Sequence, residues 1–123
     1  MTVLLVALGA AIGAPARYLA DRAVQARHDS LFPWGTFAVN VVGSFLLGLV
    51  ASAAAAGGVG PAVVAGVGTG FCGALTTYST FSYETLRLTE ERAQAEALLN
   101  VVASVVAGLG AAALGWAAGS ALT

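Results

Sequence analysis

Three sets of polar residues stand out in a chain that is otherwise almost wholly apolar. Thr36, Asn40 and Ser44 follow one another at intervals of four, which puts them on one face of a helix. Asn100 and Ser104 are also four apart, and Gly108 continues their face. Between these sets, the stretch from Gly70 to Glu84 holds Thr76, Thr77, Ser79, Thr80 and Ser82 among Phe71, Tyr78, Phe81 and Tyr83. A single hydroxyl in an apolar helix ordinarily bonds back to its own backbone, and a single Asn serves as interhelical glue. Recurrence at helical spacing on two helices, with crowding on a third, reads instead as the wall of a narrow polar path. That wall offers O–H and N–H donors and the positive edges of aromatic rings. It has no acid at membrane depth, where a cation or proton route needs one. The chemistry suits a small anion. Arg17 and Arg22 are the nearby basic candidates for drawing anions into a vestibule. Arg17 either does this or snorkels to the interface.

The elements that must position these groups follow from composition. Of 123 residues, 59% are hydrophobic and 9% charged, with 16 Gly, 28 Ala and no Lys. Globular chains carry about 25% charge, so this chain cannot cover a soluble surface. Disorder is excluded by the high apolar content. Nucleic-acid binding is excluded by a net charge of −1, with five Arg against six acids. No nucleophile–base pair is present, so no enzyme is expected. His28 reads as a solvated side chain. Cys72, the single Cys, reads as a small packing residue. What remains is an all-α integral membrane protein, a single domain over 1–123.

The charges fall into two clusters: Arg17, Asp21, Arg22, Arg27 and Asp29, then Glu84, Arg87, Glu90, Glu91, Arg92 and Glu96. A crossing takes about 20 apolar residues. Residues 30–83 carry no charge and accommodate two crossings, divided at Gly57-Gly58-Val59-Gly60-Pro61. The reading is four transmembrane helices, near 2–25, 34–56, 61–86 and 93–121. Pro33-Trp34 marks the start of the second. The first lacks the basic flank of a cleaved leader. Both Arg-bearing loops then lie on one membrane side, which the positive-inside rule makes cytoplasmic, with both termini outside.

Each helix has a pair of small residues four apart: Gly9 and Gly13, Ser44 and Gly48, Gly66 and Gly70, Gly115 and Gly119. Such pairs let membrane helices pack closely. A bundle this tight leaves little room for a path inside one subunit, so an oligomer is expected. Gly73 followed by β-branched Thr76-Thr77 favours a broken third helix. Carbonyls freed by a break are a usual means of holding a monovalent cation.

The stretches Gly9-Ala10-Ala11-Ile12-Gly13-Ala14 through Arg17-Tyr18, Gly35-Thr36 through Asn40-Val41-Val42-Gly43-Ser44-Phe45, and Gly70 through Glu84 resemble the CrcB/Fluc fluoride channels. The resemblance implies an antiparallel, dual-topology-type dimer with two fluoride pores in a cell membrane. It implies a structural sodium ion, held by backbone carbonyls matching Gly73 and Thr76. It matches the pore asparagine to Asn40, the two pore phenylalanines to Tyr78 and Phe81, and the polar track of helix 4 to Ser104, flanked by Asn100 and Gly108. The glutamate of the family's third helix matches Glu84. Asn40, Tyr78, Phe81 and Ser104, with Thr36, Thr80 and Arg17, form the expected anion pathway.

Two features depart from that pattern. Tyr78 stands where the family usually has Phe. The Arg distribution is one-sided, whereas a homodimer of inverted subunits needs a chain that inserts both ways. The chain therefore forms either a homodimer or a heterodimer with a related, inverted subunit. A small multidrug exporter is the rival transporter, but it depends on an acid deep in helix 1, and residues 1–16 have none. A non-transporting packing subunit leaves hydroxyls on three helices unexplained.

Overall fold

The computed structural model describes residues 1–28 and 31–122. Asp29, which closes the first charge cluster, lies outside the described residues. The described residues fold into helices and turns without a strand. In chain order these are α1 (Thr2–Gln25), α2 (Trp34–Ala55), α3 (Pro61–Val63), a π-helix (Val64–Cys72), α4 (Gly73–Leu75), α5 (Ser79–Glu90) and α6 (Gln94–Leu122). Helices α1, α2 and α6 are long and apolar enough to cross a membrane. From α3 to α4 the chain is one continuous helical rod, 61–75.

Local chemistry sets the element ends. Pro33 occupies the position before α2 rather than its first turn, and its carbonyl accepts the Phe37 N–H at 3.0 Å to close that turn. Gly57, at φ 79°, leaves α2 in the left-handed region that glycine enters without steric cost. Pro61 opens α3, where a missing N–H removes no helical bond. Arg92 makes the turn from α5 to α6 at φ 62°, an uncommon conformation for a side chain with a Cβ.

Two helix pairs carry the packing. Helix α2 runs along α6, and α1 runs along the π-helix. Both pairs meet through glycine. A Cβ on Gly115 would collide with the Phe45 carbonyl, and one on Gly48 with the Ala112 carbonyl. A Cβ on Gly9 would collide with the Gly66 carbonyl, and one on Gly13 would meet the Phe71 carbonyl at 2.5 Å. Backbone therefore touches backbone, the close approach that replaces the hydrophobic effect between helices in lipid. At the far end of the α2–α6 pair the Ser52 and Ser120 hydroxyls bond at 2.9 Å.

The apolar side chains mostly face outward. Leu4, Leu8 and Ile12 on α1, and Val106, Leu109 and Leu114 on α6, are exposed. Helices apolar on the outside are stable against lipid or another apolar subunit. Polar groups are instead turned inward: Thr36, Ser52 and Asn100 are buried.

Candidate functional site

The helical path stops at Leu75 and resumes at Ser79. Thr76 is extended, at φ −81° and ψ 159°. Its hydroxyl donates to the Cys72 carbonyl at 2.9 Å, beside its own N–H at 3.0 Å. In a continuous α-helix the Thr77 N–H would serve the Gly73 carbonyl. Here it donates to Asn40 Oδ1 at 2.7 Å, while Asn40 Nδ2 donates back to the Thr77 carbonyl at 3.0 Å. The Thr80 N–H would likewise serve Thr76, but it donates to the Thr77 hydroxyl at 3.1 Å. That hydroxyl satisfies one of the free donors of the α5 N-terminus. The Gly73 and Thr76 carbonyls are thus left without a backbone donor among the described residues.

Beside the break lies an open groove of about 360 Å³. Its wall comprises Asn40, Gly43 and Ser44 from α2, Thr76, Thr77 and Tyr78 from the break, Phe81 from α5, and Ser104 and Gly108 from α6, with Leu47 and Val105. No charged side chain lines it. Tyr78 is 81% exposed, and its ring centroid lies 6.2 Å from that of Phe81 at an interplanar angle of 40°. Asn40 Nδ2 keeps one N–H that Thr77 does not use. Gly43 is needed at the wall because a Cβ there would collide with the Thr76 methyl.

Of the residues singled out from the sequence, the groove gathers Asn40, Thr76, Tyr78, Phe81 and Ser104. It does not gather Thr36, Thr80, Gly73 or Arg17. Thr36 is 2% exposed on α2 and lies against the Glu84 carboxyl. Thr80 helps to start α5. Gly73 is exposed on α4. Arg17 is half-buried on α1, and its Nε, like Glu84 Oε1, is buried without a hydrogen-bond partner.

Two contributors were not evident beforehand. The sequence offers Thr77 as a hydroxyl and as part of the helix break, yet its backbone is what Asn40 grips. Thr85 was not singled out at all. Its hydroxyl accepts from Asn100 Nδ2 at 2.8 Å and donates to the Phe81 carbonyl at 2.8 Å. A four-residue spacing from Phe81 is the one available signal, and it is common to most helical threonines.

The two charge clusters meet at one end of the molecule, where Asp21 and Arg22 of α1 share a cavity of about 300 Å³ with Glu84 and Arg87 of α5. There the Gly35 N–H donates to Gln25 Oε1 at 3.2 Å, and Asp21 lies against Gly35. These contacts tie the end of α1 to the start of α2.

Long apolar helices around an uncharged groove that carries the Asn40 amide and several hydroxyls define a multi-pass membrane protein. The chain belongs to the family described as CrcB-like protein, Camphor Resistance (CrcB), whose model matches residues 4–116. It is 64% identical over 120 residues to the Fluoride-specific ion channel FluC 1 of Frankia casuarinae, covering 94% of this chain and 93% of that protein. It is 62% identical over 112 residues to the protein of the same name from Streptomyces avermitilis, covering 91% and 90%. With the Thermobifida fusca protein of that name the identity is 53% over 119 residues, covering 96% and 95%.

Proposed function

We propose that this chain is a subunit of a passive, fluoride-selective channel in a cell membrane. The observation that carries the reading is the groove at the helix break, lined by Asn40, Ser44, Ser104, Tyr78 and Phe81 and free of charged side chains. High identity over nearly the whole chain to proteins named fluoride-specific ion channels supports it. Fluoride crosses membranes inward as its neutral weak acid and ionises inside. An inside-negative potential then drives the anion out through the pore, with no catalysis and no fuel. The anion exchanges water for the Asn40 N–H, nearby hydroxyls, and the edges of Tyr78 and Phe81.

In this reading the chain crosses four times, and 61–90 is one crossing broken at 76–78. The half-exposed groove is completed by a second subunit in inverted orientation. The partner is either a second copy or a related chain of fixed opposite orientation. The one-sided charge, gathered where α1 meets α5, favours the related chain and supports a cytoplasmic position for the Arg-bearing end.

The donor set at the break also fits a monovalent cation: neutral carbonyl oxygens at Gly73 and Thr76 whose usual donors are engaged elsewhere. These two residues would hold a structural sodium ion, which would neutralise the paired carbonyl dipoles. Asn40 and Thr77 keep the carbonyls available by occupying the N–H groups that would otherwise close on them.

The test is fluoride efflux from liposomes holding this purified chain, with sodium present and a chloride control. Fluoride release without chloride release supports the reading. Silence from the folded chain alone, together with efflux on co-expression with an inverted relative, assigns the heteromeric form. Silence in both overturns the proposal.

A further inference from the structure

The groove wall continues inward as a hydrogen-bond chain. Ser104, at the wall, donates to Asn100 Oδ1 at 3.3 Å. Asn100 is 0% exposed, and its Nδ2 donates to the Thr85 hydroxyl at 2.8 Å. Thr85 donates in turn to the Phe81 carbonyl at 2.8 Å. Each hydroxyl has one proton, so the whole chain points one way. With this polarity Ser104 spends its proton on Asn100 and shows only lone pairs to the groove. An anion in the groove needs the proton.

Turning the Ser104 hydroxyl outward alone would strip Asn100 Oδ1 of its donor inside a fully buried site, which is costly. A concerted reversal avoids this. The terminal amide of Asn100 turns over, its oxygen and nitrogen being close in size. Thr85 then donates to Oδ1, Nδ2 donates to Ser104, and Ser104 donates into the groove. No helix moves. The Phe81 carbonyl loses the Thr85 hydroxyl but keeps the α-helical N–H of Thr85. The Ser104–Asn100 link, which the reversal remakes around Ser104, is the longest of the three.

We infer that Thr85 and Asn100 form a reversible relay that sets whether Ser104 offers a proton or lone pairs to the groove, and that an anion there selects the proton-out polarity. This makes Thr85, which the groove does not touch, a positioning residue for anion recognition. The inference rests on the proposed fluoride channel.

The test is a double-mutant cycle on fluoride efflux. In wild-type background Thr85→Val is expected to change the half-saturating fluoride concentration by about threefold or more, and Thr85→Ser to restore it. In Ser104→Ala background Thr85→Val is expected to change nothing further. Independent effects of the two substitutions overturn the relay and leave the channel standing. No efflux from folded wild type, alone or with a partner, overturns both. A second measurement holds if Thr85→Val fails to fold. The chain has two Asn, Asn40 and Asn100, so asparagine labelled with nitrogen-15 reports two side-chain amides. Fluoride, and not chloride, is expected to move the Asn100 pair; an unmoved pair overturns the relay.

Discussion

Asn40 and Thr77 bond reciprocally across the groove wall: the Asn40 amide accepts from the Thr77 N–H at 2.7 Å and donates to the Thr77 carbonyl at 3.0 Å. A side chain on α2 thereby does for one residue of the break what a neighbouring strand or turn would do in water. Both backbone groups of Thr77 are satisfied within the protein, as a non-helical stretch inside a membrane requires. The fold tolerates a non-helical stretch here because α2 supplies this one amide.

Replacing that amide removes both bonds at once. Asn40→Leu is expected to destabilise the break by about 1–3 kcal/mol and to abolish fluoride efflux. Asn40→Asp keeps the acceptor for Thr77 N–H but loses the donor and places a negative charge at the groove, so efflux should fall as well. Efflux assays together with thermal unfolding in detergent separate the two: the Leu variant loses stability and flux, the Asp variant mainly flux.

Thr77→Val removes the hydroxyl that holds the Thr80 N–H. Loss of such a cap costs about 1 kcal/mol, and the freed N–H can return to the Thr76 carbonyl. On the proposed sodium site, the sodium affinity read from efflux should weaken, with a higher sodium concentration needed for half-maximal flux, while Thr77→Ser stays near wild type. An unchanged sodium requirement in the Val variant counts against Thr76 as a sodium ligand.

Gly115→Val puts a side chain into the Phe45 carbonyl across the α2–α6 contact. A loss of about 2–4 kcal/mol or failure to fold is expected, as for overpacked sites. Gly110 is on the same helix, yet a Cβ there meets nothing within 4 Å. Gly110→Ala should be neutral or stabilising by about 0.5–1 kcal/mol through helix propensity. Thermal unfolding in detergent measures both.

Arg92 turns the chain at φ 62°, where a Cβ is strained and glycine is not. Arg92→Gly is expected to raise stability by up to about 1 kcal/mol. It also removes one of the basic residues on which the proposed orientation rests. Reporter fusions at the C-terminus should show a one-sided signal for wild type and a more even one after Arg22, Arg27 and Arg92 are all replaced. An even wild-type signal refutes fixed orientation and the heteromeric reading with it.

The helical class and three of the four expected long helices, α1, α2 and α6, were legible in the sequence, because lipid imposes a simple rule: about 20 apolar residues in a helix for each crossing. The family was legible in the motif stretches around Gly9, Asn40 and Thr76. The glycine pairs were legible as contacts for a similar reason, since small residues are what close backbone approach requires. Which glycines matter was not. Gly66 and Gly70 stand alike as one pair, yet a Cβ on Gly70 would meet the Val6 carbonyl at 2.6 Å and one on Gly66 only the Leu5 carbonyl at 3.7 Å. The same limit holds at the site. Spacing put Thr36, Asn40 and Ser44 on one face, but α5 covers Thr36 with Glu84 while Asn40 and Ser44 remain at the groove. The sequence by itself determined the helices, their apolar surface and the supply of donors. The tertiary structure decided which donors meet, because the hydrogen-bond partners of Asn40 and Thr77, 37 residues apart, and of Thr85 and Asn100, 15 apart, depend on how separate helices pack.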